Sequence, residues 1–578
     1  MVFLTDLTMT LAGYAILAVS YLGLGWASSR FLRIEFPVRE KPFSLIWLGW
    51  AAALFLLQLL NLVVPINMFS SAPLLILGII FAVIFFRKEL SSRPSLPRAY
   101  PALLAIAVLW LAILSMSSPT IYDDGLYHFN SIRWLNEYPI VLGLGNLHGR
   151  LAFNQSFFAY AAYLNLYPFF NHGYNLANSF LFLVLLAECL WYLLRFVFQR
   201  AQEADFSSST LAPIFFLPAL IYMASVFEVL RTGISSPSPD IASLFLQILL
   251  FIHFVRALEE DLSERSSRAR IAFILIVSAT MITVKLSNLF YVLAVCAMLL
   301  LLRITRRQPS ARPAPGIIGG WLALPILILA LWSSRGVLLS GCPVYPSTFG
   351  CLPVPWAEPL ASVRSEANWI YSWARENGLP PDQVLTSWMW LGPWFNGILQ
   401  ANGITVVYPV VISSLGIVAS VLLRSRSQPK KVDGKTFLLP LPIWVGLIFW
   451  FGLAPDPRFA NALFWILPVA TVLVFLKSFA GSQKVKNRII LALFVLINAN
   501  VVWFFINNPQ TFTMIQAHGY EPVPKVRLVE RTTRSGLVVW TPLNGDQCWD
   551  SRIPCTPYFN QDLNFLDNQV FPEFTTRR

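Results

Sequence analysis

The stretch YPALLAIAVLWLAILSM, residues 100–116, runs directly into SSPTIYDDGLYHFNSIRWLNEY, residues 117–138. The first part carries no charge and is about long enough to cross a bilayer as a helix; the second sets two adjacent carboxylates, Asp123 and Asp124, and an imidazole, His128, just beyond its end. Apolar runs of this kind recur at 4–27, 43–63, 70–86, 172–194, 210–227, 240–257, 269–284, 286–302, 316–334, 405–423, 437–453, 459–476 and 489–506. With residues 56% hydrophobic and only 12% charged, against about 25% in soluble domains, the chain reads as an all-α polytopic membrane protein of about 12–14 transmembrane helices.

The net charge of +13 could suggest a nucleic-acid partner, but its distribution excludes that class. Seven groups in alternate gaps hold 27 of the 42 Lys and Arg residues, among them Arg30, Arg33, Arg39 and Lys41, then Arg87 and Lys88, then Arg256, Arg265, Arg268 and Arg270. The positive-inside rule puts those gaps in the cytoplasm. The amino terminus, the 117–171 loop, the 335–404 loop and the 507–578 tail then lie outside, and residues 1–506 form the multi-pass domain. The first apolar run lacks a basic region before it and reads as a retained span, not a cleaved signal.

Cysteine placement agrees with this orientation. Cys342 with Cys351 and Cys548 with Cys555 are short-spaced pairs in segments assigned outside, where an oxidising compartment permits disulfides. Past residue 506 the helical periodicity stops. Strand-like fragments at 526–529 and 536–540, with a turn at Asn544-Gly545, suggest a small external C-terminal cap.

Within the acidic loop, residues 128–138 have helical spacing, with Phe129, Ile132 and Leu135 on an apolar face and Asn130, Arg133, Asn136 and Glu137 on the other. A polar run follows at 143–155, then an amphipathic segment at 156–169. Two adjacent carboxylates resist burial as anions unless cations or donors surround them, and Arg133, Arg150 or His128 could supply compensation. One carboxylate can act as a general base on a hydroxyl. The competing reading is an acidic turn capping a helix, and Asp123, Asp124 and His128 also form a candidate set for a divalent cation. At the predicted outer ends of other spans lie Lys285, Arg231, Glu228, Asp240 and Arg458. Charges near membrane depth mark substrate-facing sites by default, and a lipid phosphate would suit Lys285 and Arg458, with Arg231 third. Each also has a plainer reading: Lys285 snorkelling, Arg458 pairing with Asp456, Glu228 with Arg231, and Asp240 starting a helix. The tryptophans between Trp356 and Trp394 read as interface anchors that could also receive a sugar or isoprenoid chain.

This pattern resembles the GT-C superfamily of membrane glycosyltransferases, in which a carboxylate in an early exterior loop acts beside a lipid-phosphate sugar donor. The Asp123-Asp124 pair resembles its acidic element and 128–138 the membrane-parallel helix after it. More than one span precedes the acidic loop here, where that superfamily typically has one. A closer likeness is to an uncharacterised group of large bacterial inner-membrane proteins with segments like YDDGLYHF at 122–129, APDPRF at 454–459 and NGDQCWD at 544–550. The GT-C resemblance implies transfer of a sugar from a polyprenyl-phosphate donor to a polysaccharide, glycolipid or protein acceptor at the outer face of the inner membrane. Asp123 or Asp124 would be the base, with His128 beside them, and no cofactor would be required. A glycolipid transporter or flippase, or a non-catalytic envelope assembly component, are the alternatives.

Overall fold

In a computed structural model the chain is a helical bundle with a short β-containing C-terminal segment. The structure describes residues 2–89, 97–198, 207–226, 232–260, 265–305, 315–426, 434–460, 462–478, 519–567 and 572–576, with scattered single positions at 485–507. Arg231 and Glu228 lie outside the described residues, as does most of the run expected at 489–506.

Among the described residues, nine helices are long and apolar enough to span a membrane, including Val2–Phe31, Gly173–Phe198, Pro239–Glu259 and Trp321–Ser340. Four more, Tyr100–Ser115, Ser208–Ala224, Leu286–Leu302 and Leu463–Ser478, are apolar but shorter. The opening stretch belongs to this second group, because its helix stops at Ser115 before Pro119. Among the described residues, nine of the expected 12–14 crossings thus have a helix of full length.

Two segments differ from their sequence reading. Helix Ser156–Tyr163, expected to be amphipathic, is buried at every residue, because the bundle surrounds it on all sides. On helix Phe129–Glu137, Asn130 and Ser131 are buried with Phe129 and Ile132, while Arg133 and Glu137 pair at 2.6 Å on the open side.

The helix ends sort into two groups. At one end Asp6 accepts from the Tyr520 amide at 2.9 Å, and Glu521 is bonded to the backbone at Met116 and Ser118. The acidic loop, the 341–358 turns and the C-terminal segment gather there. At the other end Arg30 and Lys41 meet Glu89, and Arg256 and Arg270 meet Glu40. The alternation read from charge thus recurs as two physical ends of the bundle.

The C-terminal segment is not helical. Strand β1 (Leu528–Thr532) pairs antiparallel with β2 (Val538–Pro542), and β3 (Asn564–Asp567) with β4 (Pro572–Thr575). Leu142 donates to Pro572 O at 2.9 Å and accepts from Phe574 N at 2.8 Å, which fastens the last strand to the acidic loop. Gly143 makes this possible: at φ 62° it turns the chain, and a Cβ there would lie 2.2 Å from Phe574 O. Both disulfides, Cys342–Cys351 and Cys548–Cys555, are formed.

Candidate functional site

The acidic loop enters helix Phe129–Glu137 through one wide turn, in which Phe129 N donates to Asp124 O, five residues back. Such single wide turns concentrate at functional sites. Here it directs the two neighbouring carboxylates to different partners. Asp123 faces cations: Oδ1 lies 3.2 Å from Arg150 Nη1 and Oδ2 3.0 Å from Arg458 Nη1. Asp124 faces inward: Oδ1 accepts from Ser236 Oγ at 2.7 Å and meets His128 Nδ1 at 2.8 Å, while the buried Oδ2 has no partner among the described residues.

The environments drive the two acids apart. Burial opposes ionisation of Asp123, but Arg458, His128, Arg150 and Lys285 outweigh it and hold its carboxyl below the usual range. For Asp124 burial wins, and the neighbouring Asp123 adds to it, so that its carboxyl is pushed up despite the bonds from His128 and Ser236. Asp124 is fully buried, whereas the Asp123 side chain keeps 10% exposure beside Arg150 and Arg458, themselves 26% and 35% exposed.

Arg458 is held in place from several directions. Its backbone N–H donates to Asp456 Oδ1 at 2.9 Å and its Nε lies 3.3 Å from Asp456 Oδ2, so the local pairing read from sequence coexists with the link to Asp123. Trp394 and Trp450 donate to the carbonyls of Pro455 and Asp456 at 2.8 and 2.7 Å, fixing the turn that presents Arg458. Lys285 lies over one side of Phe459, 4.8 Å from the ring centre, with Arg458 5.0 Å from it, and pairs with Asp240. Burial and then Arg458 push Lys285 down to about 7, against the carboxylates of Asp123 and Asp456.

Glu366, which no sequence motif singles out, also joins the cluster. Glu366 Oε1 accepts from Arg150 Nε at 3.2 Å and so completes a chain Glu366–Arg150–Asp123–Arg458–Asp456. Its only sequence signal is a carboxylate in the same 335–404 segment as the tryptophans. Ser236 gave no signal at all. Asp123, Asp124, His128, Lys285 and Arg458 are all brought to this one place. His128 is buried, its ring packed on Phe158, so it touches Asp124 and not the open side. Among the described residues, no group of three His, Cys, Asp or Glu side chains is placed to hold a metal ion. Asp123 and Asp124 turn to different partners, so the candidate cation set does not converge.

The C-terminal segment covers the acidic turn. Trp549 N donates to Gly125 O at 2.8 Å, Gln547 Nε2 donates to Tyr122 O at 2.8 Å, and Tyr122 bonds Asp546. Gly125 is needed for this approach, since a Cβ would lie 2.5 Å from Trp549 Cε2 and 2.9 Å from Gln547 Cδ. Gly125→Ala is expected to destabilise the protein by about 1–3 kcal/mol through overpacking, read as a lowered Tm. The double variant Gly125→Ala/Trp549→Leu should recover most of that loss; equal Tm values for wild type and Gly125→Ala would show that the contact is slack.

Fold and site together define a multi-pass, largely helical membrane protein with a charged cluster at one end of its bundle. The chain belongs to the family described as a domain of unknown function, DUF8201, which matches residues 8–465. No curated protein and no solved structure matches it. The segments at 122–129, 454–459 and 544–550 meet in space, through Asp123 with Arg458 and Gly125 with Trp549.

Proposed function

We propose that the chain is a GT-C-type glycosyltransferase, which moves a sugar from a polyprenyl-phosphate donor to an acceptor hydroxyl at the outer face of a bacterial inner membrane. The observation that carries this reading is the Asp123 carboxylate held between Arg150 and Arg458, with Lys285 beside them. A carboxylate that can take a proton and cations that can take a phosphate are the two groups a one-step displacement on a lipid-phosphate sugar needs. The disulfides at the same end of the bundle favour an oxidising, external location for it.

In the resting arrangement the guanidinium groups weaken Asp123 as a base. An arriving donor phosphate competes for Arg458 and Lys285, frees one Asp123 oxygen and raises its affinity for a proton. The acceptor oxygen then attacks the anomeric carbon, its proton passes to Asp123, and the bond from that carbon to the phosphate oxygen breaks with inversion. Polyprenyl phosphate leaves with its charge held by Arg458 and Lys285. Asp124 is a positioning residue that ties His128 and Ser236 beneath Asp123.

The test is transfer by the intact protein in lipid nanodiscs, supplied with polyprenyl-phosphate sugars and scored for released polyprenyl phosphate. Arg458→Gln is expected to raise the KM for donor and lower kcat together, since the phosphate is held in the ground state and more strongly in the transition state, where leaving-group charge builds on it. Donor that crosses the bilayer without any release of polyprenyl phosphate would overturn transfer in favour of a flippase.

A further inference from the structure

A second charged site lies apart from the acidic cluster. Arg335 sits near the end of the apolar helix Trp321–Ser340 and is 4% exposed. Its Nη1 donates to Gln58 O and its Nη2 to Asn61 Oδ1, both at 3.0 Å. Its Nε has no protein partner, and among the described residues no carboxylate pairs with it. This differs from Arg150, Arg256, Arg270 and Arg458, each of which meets a carboxylate. Gln58 O belongs to the last turn of helix Lys41–Leu60, and a helix C-terminus offsets only about half an elementary charge. A guanidinium buried in the bundle with that much charge left uncompensated is costly, and such a residue is a candidate ligand site.

Arg335 lines a cavity of about 50 Å³. One water takes roughly 10–15 Å³ of such space, so the cavity has room for about three to five waters, or for one halide-sized ion with water beside it, and is too small for a sugar or a lipid headgroup. Its wall also includes Ser131 and Trp134, whose Oγ and Nε1 are buried without a partner. Three residues that line this one small space, Arg335, Ser131 and Trp134, therefore each carry a buried donor left unspent, and the first of them is an uncompensated cation. The acceptors Gln58 Oε1 and Gln155 Oε1 on the same wall are also unpartnered, which admits a water alongside. Asn154, left-handed at φ 53°, lines the same cavity and is held by a reciprocal pair of bonds with Trp332, at 2.6 and 2.8 Å.

We propose that this cavity binds a single halide-sized monovalent anion, chloride in the first instance, between Arg335, Ser131 and Trp134. The ion neutralises the guanidinium and ties helix Phe129–Glu137 of the acidic loop to helices Lys41–Leu60 and Trp321–Ser340.

The test is thermal unfolding of the full chain in nanodiscs, titrated with sodium chloride against sodium gluconate at matched ionic strength. The wild type should show a saturable rise of Tm with chloride that follows one-site binding. Ser131→Ala and Trp134→Phe, which remove one donor each and keep the packing, should each weaken the apparent affinity about tenfold. Arg335→Gln should remove the chloride response if it folds. Equal Tm values in chloride and gluconate for the wild type would overturn the proposal and leave the cavity to water alone. A chloride response of the same midpoint in Ser131→Ala and Trp134→Phe would overturn it too, by placing the ion elsewhere.

Discussion

Replacing Asp123 by Asn is expected to lower sugar transfer by about 10²–10⁴-fold, the range lost when a general base is removed. The amide keeps the size of the carboxylate and its Oδ1 can still accept from Arg150 or Arg458, so the fold and donor binding should survive. The loss should therefore appear in kcat and not in the donor KM. Asp124→Asn makes the contrast. Its amide oxygen can still accept from Ser236 and from His128 when Nδ1 carries the proton, and its side chain does not reach the open side. Less than a tenfold loss is expected there. Unchanged transfer in Asp123→Asn, or a large loss in Asp124→Asn alone, would move the proton acceptor away from Asp123. Because the surrounding cations hold Asp123 below the usual carboxylate range, it stays ionised throughout neutral pH. In kcat/KM, which reports the free enzyme, its contribution should be lost only as the pH falls through that depressed value, and in kcat at a higher pH, once bound phosphate has drawn the cations away.

The largest stability effect is expected at the opposite end of the bundle. Arg270 donates to both oxygens of Glu40 at 2.6 and 2.9 Å and to Glu260 at 2.8 Å, and it is 2% exposed. Arg256 lies 2.8 Å from Glu40 and 2.9 Å from Glu188, all three being buried. Removing one member strands its partner's charge in a low-dielectric interior, so Arg270→Met should cost about 3–5 kcal/mol. Arg30→Met, at a pair where the arginine is 58% exposed, should cost less than about 1 kcal/mol. Adding Glu40→Gln to Arg270→Met should restore part of the loss, because the stranded carboxylate is the source of the cost. The measurement is the Tm of each variant in nanodiscs; a Tm for Arg270→Met close to that of Arg30→Met would show that the network is solvated.

Much of this organisation is legible in the chain. Apolar runs without charge can only be buried or lipid-facing, so composition alone fixes a polytopic helical protein. Basic gaps between alternate runs share a side because each crossing reverses the chain, and the structure groups Arg30, Lys41, Arg256 and Arg270 at one end accordingly. The cysteine pairs were readable because a short loop between two cysteines keeps them within reach of each other. Lys285 and Arg458 could be singled out because charge beside an apolar run is expensive.

What the linear chain could not express is which of these groups meet. Asp123 and Arg458 are 335 residues apart, and only the packing of several helices brings them to 3.0 Å. The division between Asp123 and Asp124 is likewise tertiary: the residues are chemically identical neighbours, and one wide turn sends one to cations and the other into the core. Glu366 and Ser236 acquire a role only from what stands opposite them. Asn130 and helix Ser156–Tyr163 go the other way, because local periodicity describes one element and burial is decided by all the elements around it. The sequence by itself determined the class of protein and the inventory of costly charges, since the expense of charge in an apolar medium is a property of each residue. The tertiary structure decided how those charges are compensated, since compensation acts over a few ångströms between groups the chain order keeps far apart.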